Sequence, residues 1–472
     1  TGNIVLTGGV AISATSAQVR VSKLITAGGG ITLSAPNTAS RIYFNNDIQS
    51  FKGVSSAGNI SVSGDVLLNT AISISADSTA TDGSILFSRT INSSGGARNL
   101  TLNSGSQGMT LGGVIGGTSA LNDFLISSTG TSALSLSAIT ANSFVVGAST
   151  SIDVGGAISV TGPTAVGLTS TGAINVNNAI TTTGTGGINF NNAGAATVLR
   201  ANVTTEGGNM TFAGNMTVDG TVTLTTAGGN LSITGTVGSG ATSGALAVVA
   251  GTGDVSLASA VSHNNAITLS GRDVTLANVT LTAGNGLTIN NSRNTLLAGV
   301  SRGAGVTVNS TGNITVGGSW AGGTTASSVT LVSSAGAINL NAGTTFTASG
   351  IGNNVTLSGN TAFVNNAGAG ALVMGGGARY FVYSPSPALT TQGGLAFDFE
   401  QFSSPYPTAP ASAGSGFLYA SAAPVVIVPG STLSSALGGN ANRSTTVLLL
   451  SLIHISEPTR LRRISYAVFC LK

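Results

Sequence analysis

The residues able to carry acid–base chemistry are few. Outside the last twenty-three residues the carboxylates are Asp47, Asp65, Asp77, Asp82, Asp123, Asp153, Glu206, Asp219, Asp254, Asp273, Asp398 and Glu400. A glycoside-cleaving or proton-abstracting site needs carboxylates in pairs, or a carboxylate beside a base. Only Asp77/Asp82 and Asp398/Glu400 lie close in sequence; most of the others occupy turn contexts such as Ser63-Gly64-Asp65 and Thr252-Gly253-Asp254. Asp favours such turns because its side chain bonds nearby backbone N–H groups, so the spacing predicts turn formers, with stacked chain segments as the one way for distant acids to meet. His263, in Ser262-His263-Asn264-Asn265, has no second histidine nearby for a zinc site and no cysteine for a dyad, and is expected in a turn. Gly64-Asp65 and Gly253-Asp254 lack the nonapeptide period of a calcium-binding repeat. No catalytic, metal or cofactor residue is therefore assigned. Trp320, in Gly318-Ser319-Trp320-Ala321-Gly322, is a candidate glycan contact through ring stacking, against the alternative of packing on its own chain segment. Thr221, Thr223 and Thr225 alternate as on ice-binding faces, but no in-register repeat of them is visible along the chain.

The elements that position these residues follow from composition. The chain has 472 residues, 69 of them Gly, with 6% charged and 5% aromatic side chains. Glycine lacks the three-residue period and the proline of collagen. One cysteine excludes a disulfide scaffold, and 41% hydrophobic content argues against general disorder. No apolar run reaches the ~18 residues of a membrane-spanning helix. The basic residues form no stripe, which argues against nucleic acid as a partner.

From Gly2 to Gly377 one unit recurs: a Gly/Asn/Ala turn, then apolar residues alternating with Ser, Thr or Asn. Examples are Gly58-Asn59-Ile60-Ser61-Val62, Gly229-Asn230-Leu231-Ser232-Ile233 and Gly312-Asn313-Ile314-Thr315-Val316. Period-two alternation buries one face of a strand. Short strands repeated over several hundred residues without helical segments predict an all-β parallel β-helix (β-solenoid) with two or three strands per coil. At about 20 residues per coil, that gives on the order of eighteen coils and a rod of roughly 90 Å. A transmembrane β-barrel would need longer strands and aromatic girdles, and only eleven aromatics precede residue 380. Separate β-sandwich domains would need linkers that the sequence lacks.

The composition then changes. Nine of the forty residues from Tyr380 to Tyr419 are aromatic, and seven prolines lie between Pro385 and Pro429. The expected organisation is a shaft over 1–377, a small aromatic and proline-rich β capping segment over 378–424, and a linker or the start of a further domain over 425–449. The run Leu450–Lys472 resembles the in-frame translation of a transposon-type sequencing-library adapter: Leu450 to Arg460 and Ile464 to Leu471 follow its two constant parts around an index-sized gap. Without it, twelve bases and twelve acids remain, so the +3 charge, Cys470 and His454 drop out of the functional reading. Both ends of the chain are expected to be cuts in a longer reading frame.

The repeat units, together with Gly377-Ala378-Arg379-Tyr380-Phe381-Val382-Tyr383-Ser384-Pro385 continuing through Gly393-Gly394-Leu395, resemble the exoproteins of the filamentous haemagglutinin family, with Tyr380 where Trp is common. The resemblance implies a secreted or cell-surface bacterial adhesin shaft, exported through an outer-membrane transporter by two-partner secretion and presenting binding regions to a host or environmental receptor. The alternatives are a structural β-solenoid of a surface layer or biofilm matrix and, further off, a carbohydrate-active enzyme on a β-helix.

Overall fold

A computed structural model describes residues 4–6, 8–15, 18–37, 40–50, 57–129, 132–192, 194–281, 286–302, 304–322 and 327–424. The chain is all-β, 51% strand and 2% helical, and winds into a β-solenoid of about 16 turns. Every strand pairing among the described residues is parallel, as in Ile25↔Ile48, Val10↔Ile31 and Val19↔Ile42. That rules out the antiparallel barrel and the sandwich. The turns are fewer than eighteen because many coils exceed 20 residues; Ile72, for example, lies beneath Leu100.

Each coil contributes one short strand to each of three sheets. The first sheet stacks Ile25–Ala27, Ile48–Ser50 and Ile72–Ser75 upward, the second Ile31–Ser34, Ile60–Ser63 and Ile85–Phe87, and the third Arg41–Phe44, Asp65–Leu68 and Ile91–Ser93. The third sheet continues through single bridges from Ile91 to Ile115 to Ile139. Apolar residues at alternate positions point inward and form one core running from Val19 to Tyr419. Like residues stack at the coil spacing: the ring centroids of Phe190 and Phe212 are 4.6 Å apart and those of Phe124 and Phe144 5.1 Å.

Hydroxyls close the corners. Where the third sheet turns back to the first, buried Thr182 and Thr205 donate to the carbonyls of Gly186 (2.8 Å) and Gly208 (2.6 Å), and Thr226 to that of Gly229. The glycines of this corner stack almost atom on atom. A Cβ on Gly208, Gly229 or Gly253 would meet the carbonyl oxygen of the glycine one coil below at 2.2, 2.1 and 1.9 Å. Glycine is demanded here by close backbone approach, which explains the Gly-Asn opening of each unit.

The residues from Thr1 to Ser421 form one compact unit. Its last coils end in aromatic packing. The strand Tyr380–Ser384 lies between Val355–Gly359 and Gly416–Tyr419, and Phe417 and Tyr419 are wholly buried. Phe417 packs edge-on to Phe363, Tyr380 and Phe397. The bulky side chains thus cover the final coil, the position where a solenoid otherwise exposes an open sheet edge. A second unit, Ala422 to Lys472, is separate. The expected linker at 425–449 and the adapter-like run 450–472 lie outside the described residues.

Candidate functional site

Three arrangements bring functional side chains together. The first is a ladder of Asn and Asp, each immediately before a strand of the first sheet. The Asn209 side-chain oxygen accepts the backbone N–H of Asn230 (2.9 Å), Asn230 that of Asp254 (2.9 Å), Asp254 that of Asp273 (3.2 Å), Asp273 that of Asn294 (2.9 Å) and Asn294 that of Asn313 (2.9 Å). Two of the acids met only as turn formers therefore stack on adjacent coils, a juxtaposition that their separation of 19 positions conceals. The corner glycine beside them is replaced by Arg272 and Arg293. Arg272 grips Asp254 with two N–H donors (2.9 and 2.6 Å), and Arg293 grips Asp273 likewise. The Arg272 guanidinium holds the Asp254 carboxyl below the ordinary range, and Arg293 does the same for Asp273. Both carboxylates are thus ionised and fully engaged by two-pronged ion pairs.

Of the remaining acids, Asp77 and Asp82 meet side chain to side chain at one turn. Asp47, Asp82 and Asp219 accept backbone N–H groups of the next coil from Ser73 (2.7 Å), Ser106 (2.5 Å) and Thr242 (2.8 Å). Asp77 accepts Asn103, Asp398 caps Ser415, and Glu400 accepts the Tyr419 hydroxyl at 3.1 Å. Among the described residues no three His, Cys, Asp or Glu side chains are placed to share a metal ion, and no helix is long and apolar enough to cross a membrane.

The second arrangement corrects the expectation for His263. It ends the strand Val261–His263 of the second sheet and is buried, not part of a turn. Its Nε2 lies 2.9 Å from the Gly244 carbonyl, which only accepts, so Nε2 carries the proton and Nδ1 accepts the Ser239 hydroxyl at 2.8 Å. The Ser239 oxygen in turn accepts the Asn264 N–H at 2.8 Å. Burial pushes the imidazole below its usual range, while its bonds to backbone at Gly244 and Gly238 act the other way. This serine and histidine clip one coil to the next, and their separation of 24 residues left no mark in the sequence.

Trp320 takes the alternative setting, packed on its own chain, and not that of a glycan contact. It lies in the strand Ser319–Gly322 and is fully buried, its ring 4.8 Å from Phe346 and its Nε1 donating to the Gly317 carbonyl at 3.0 Å. A ring enclosed by the core has no face to offer a glycan. Its Gly-rich surroundings are the corners on either side of a short strand.

The third arrangement is the outward face of the third sheet. Parallel register places Thr268, Thr288, Thr307, Thr330 and Thr356 directly above one another. Beside this file runs another of Ser270, Asn290, Asn309 and Val332. The run Thr221, Thr223, Thr225 is not continued by threonine, since Ala247 and Val249 stack on Thr223 and Thr225, but this separate threonine file does repeat in register at intervals of 20, 19, 23 and 26 residues that hide it in the sequence. Among the described residues no hydroxyl of the five threonines has a protein partner, whereas Asn309 donates to the Asn290 side-chain oxygen at 2.9 Å. Among the described residues no charged side chain lines this face from Thr268 to Thr356. An open hollow of about 560 Å³, lined by Val249, Ser270, Asn290, Asn309 and Val332, follows the second file, and one of about 280 Å³ continues it past Val332 to Ser358, Tyr383 and Tyr406.

No protein-family model, curated protein or solved structure matches this chain.

Proposed function

We propose that this protein is the non-catalytic shaft of a secreted bacterial adhesin of the filamentous haemagglutinin type, exported through an outer-membrane transporter and holding binding surfaces away from the cell. The observation carrying this reading is the single core running from Val19 to Tyr419 through three stacked sheets, closed at its end by the aromatic strands Tyr380–Ser384 and Gly416–Tyr419 of the family-like segment. A stack of about 16 turns at the strand spacing makes a rod of about 75 Å. The surface chemistry supports it as well: side-chain amides and hydroxyls, with carboxylates spent on arginines and backbone N–H groups, fit a spacer better than a proton-transfer site. Latex beads coated with the full chain test the reading in a flow cell over cell-layer and abiotic surfaces. Coated beads are expected to resist detachment at shear that removes albumin-coated beads. Equal detachment of both overturns the adhesin reading in favour of a structural solenoid of a surface layer or matrix.

A further inference from the structure

We propose that the outward face of the third sheet, from Val249 to Tyr406, is a binding groove for an extended, uncharged polysaccharide lying along the rod axis. The proposal deepens the adhesin reading by giving the shaft itself a ligand. Three observations carry it. The threonine file presents one hydroxyl per coil from Thr268 to Thr356, about 4.8 Å apart, so an extended chain of linked sugars meets a fresh donor or acceptor at each step there. The threonine hydroxyls and the outer edges of the Asn290–Asn309 pair are not consumed by the protein, and Asn290 and Asn309 are exposed. The two hollows share Val332 and Ser334, making one trough that ends at Tyr406, whose ring is 39% exposed and stands edge-on to Tyr383 at 5.2 Å.

The chemistry of the lining selects the ligand. Sugar rings have apolar faces that pack on Val249, Val332 and the Tyr406 ring, and equatorial hydroxyls that pair with amides. No lysine or arginine lines the trough, so nothing there recognises sulfate or carboxylate groups. The mixed second file of Ser270, Asn290, Asn309 and Val332 breaks the regular array that the lattice of ice would need, a lattice the threonine file alone would also fit.

Native gels cast with glucomannan or xyloglucan provide the test, with heparin as the anionic probe and inhibition of ice recrystallisation as a parallel assay. The full chain is expected to be retarded by a neutral glucan and not by heparin. The exposed double substitution Thr307→Ala/Asn309→Ala, and separately Tyr406→Ala, are expected to weaken retardation at least tenfold with unchanged circular dichroism. Thr211→Ala, on the outward face of the first sheet, leaves it unchanged. The groove is overturned by no retardation in either neutral glucan, by stronger retardation in heparin, by full retardation of both groove variants, or by ice inhibition without glucan binding. Beads that still attach under flow while no glucan retards the chain sink the groove and leave the rod reading standing.

Discussion

Replacing Gly253 with alanine tests the corner packing on which the whole stack rests. Its Cβ would sit 1.9 Å from the Gly229 carbonyl oxygen and 2.5 Å from its carbon, more than an ångström inside ordinary contact. Both obstacles are backbone, so no side-chain rotation relieves them. The two coils must part at this corner, straining the Asp254 N–H bond to Asn230 (2.9 Å) and the Leu231 N–H bond to the Asp254 carbonyl (2.8 Å). Overpacking costs about 1–3 kcal/mol and a lost hydrogen bond about 1 kcal/mol, so Gly253→Ala is expected to cost about 2–4 kcal/mol. The matched control is Gly238→Ala: a Cβ there meets nothing within 4 Å, and the gain in backbone rigidity is worth about 0.4–1 kcal/mol. A rod of coupled coils does not melt as one two-state unit, so the readout is local hydrogen exchange by mass spectrometry on peptides spanning 225–260. Faster exchange confined to coils around Gly253 supports the reasoning. Equal protection in the Gly253 and Gly238 variants refutes it.

Three further outcomes follow from the interior and the ladder. Trp320→Ala opens a cavity against Phe346 and is expected to cost about 3–5 kcal/mol by local hydrogen exchange, and the parent tryptophan should emit in the blue and resist acrylamide quenching; a red-shifted, readily quenched emission contradicts its burial. Because burial lowers the His263 pKa below 6.5, the unfolded chain binds the extra proton first, so stability is full above pH 6.5 and falls as pH drops below it, at up to about 1.4 kcal/mol per pH unit. His263→Gln should flatten that slope in pH-dependent unfolding, and an unchanged slope counts against the clip. Asp254→Asn keeps the acceptor for the Asp273 N–H but loses one prong of the Arg272 ion pair, whereas Asp254→Ala loses both and is expected to cost about 1 kcal/mol more by local hydrogen exchange; equal effects of the two argue against the ladder.

Alternation such as Leu231-Ser232-Ile233 made the strands and the solenoid legible, because a one-sided core imposes a period of two. The aromatic cluster from Tyr380 onward likewise announced a closing module. Register was hidden. Coils grow or shrink at their corners without disturbing the strands, so Thr268 and Thr288, or Ser239 and His263, are neighbours in space with no fixed interval in sequence. The strand around Trp320 was hidden for a related reason: three or four residues between glycine corners carry too short an alternation to read until the partner Phe346 is known.

The three-strand coil also determines how the shaft behaves under load. A coil of about 20 residues occupies only ~4.8 Å of the axis while folded, but pulled straight it pays out roughly 70 Å of chain. A rod tethered at both ends would therefore yield from an end inward, one coil at a time. Each yielding coil lengthens the tether more than tenfold over the height it gave up, and leaves the coils beyond it intact. Such a shaft is a chain of mechanical fuses, lengthening under a sudden pull where a rigid spacer would pass the whole force to its attachment.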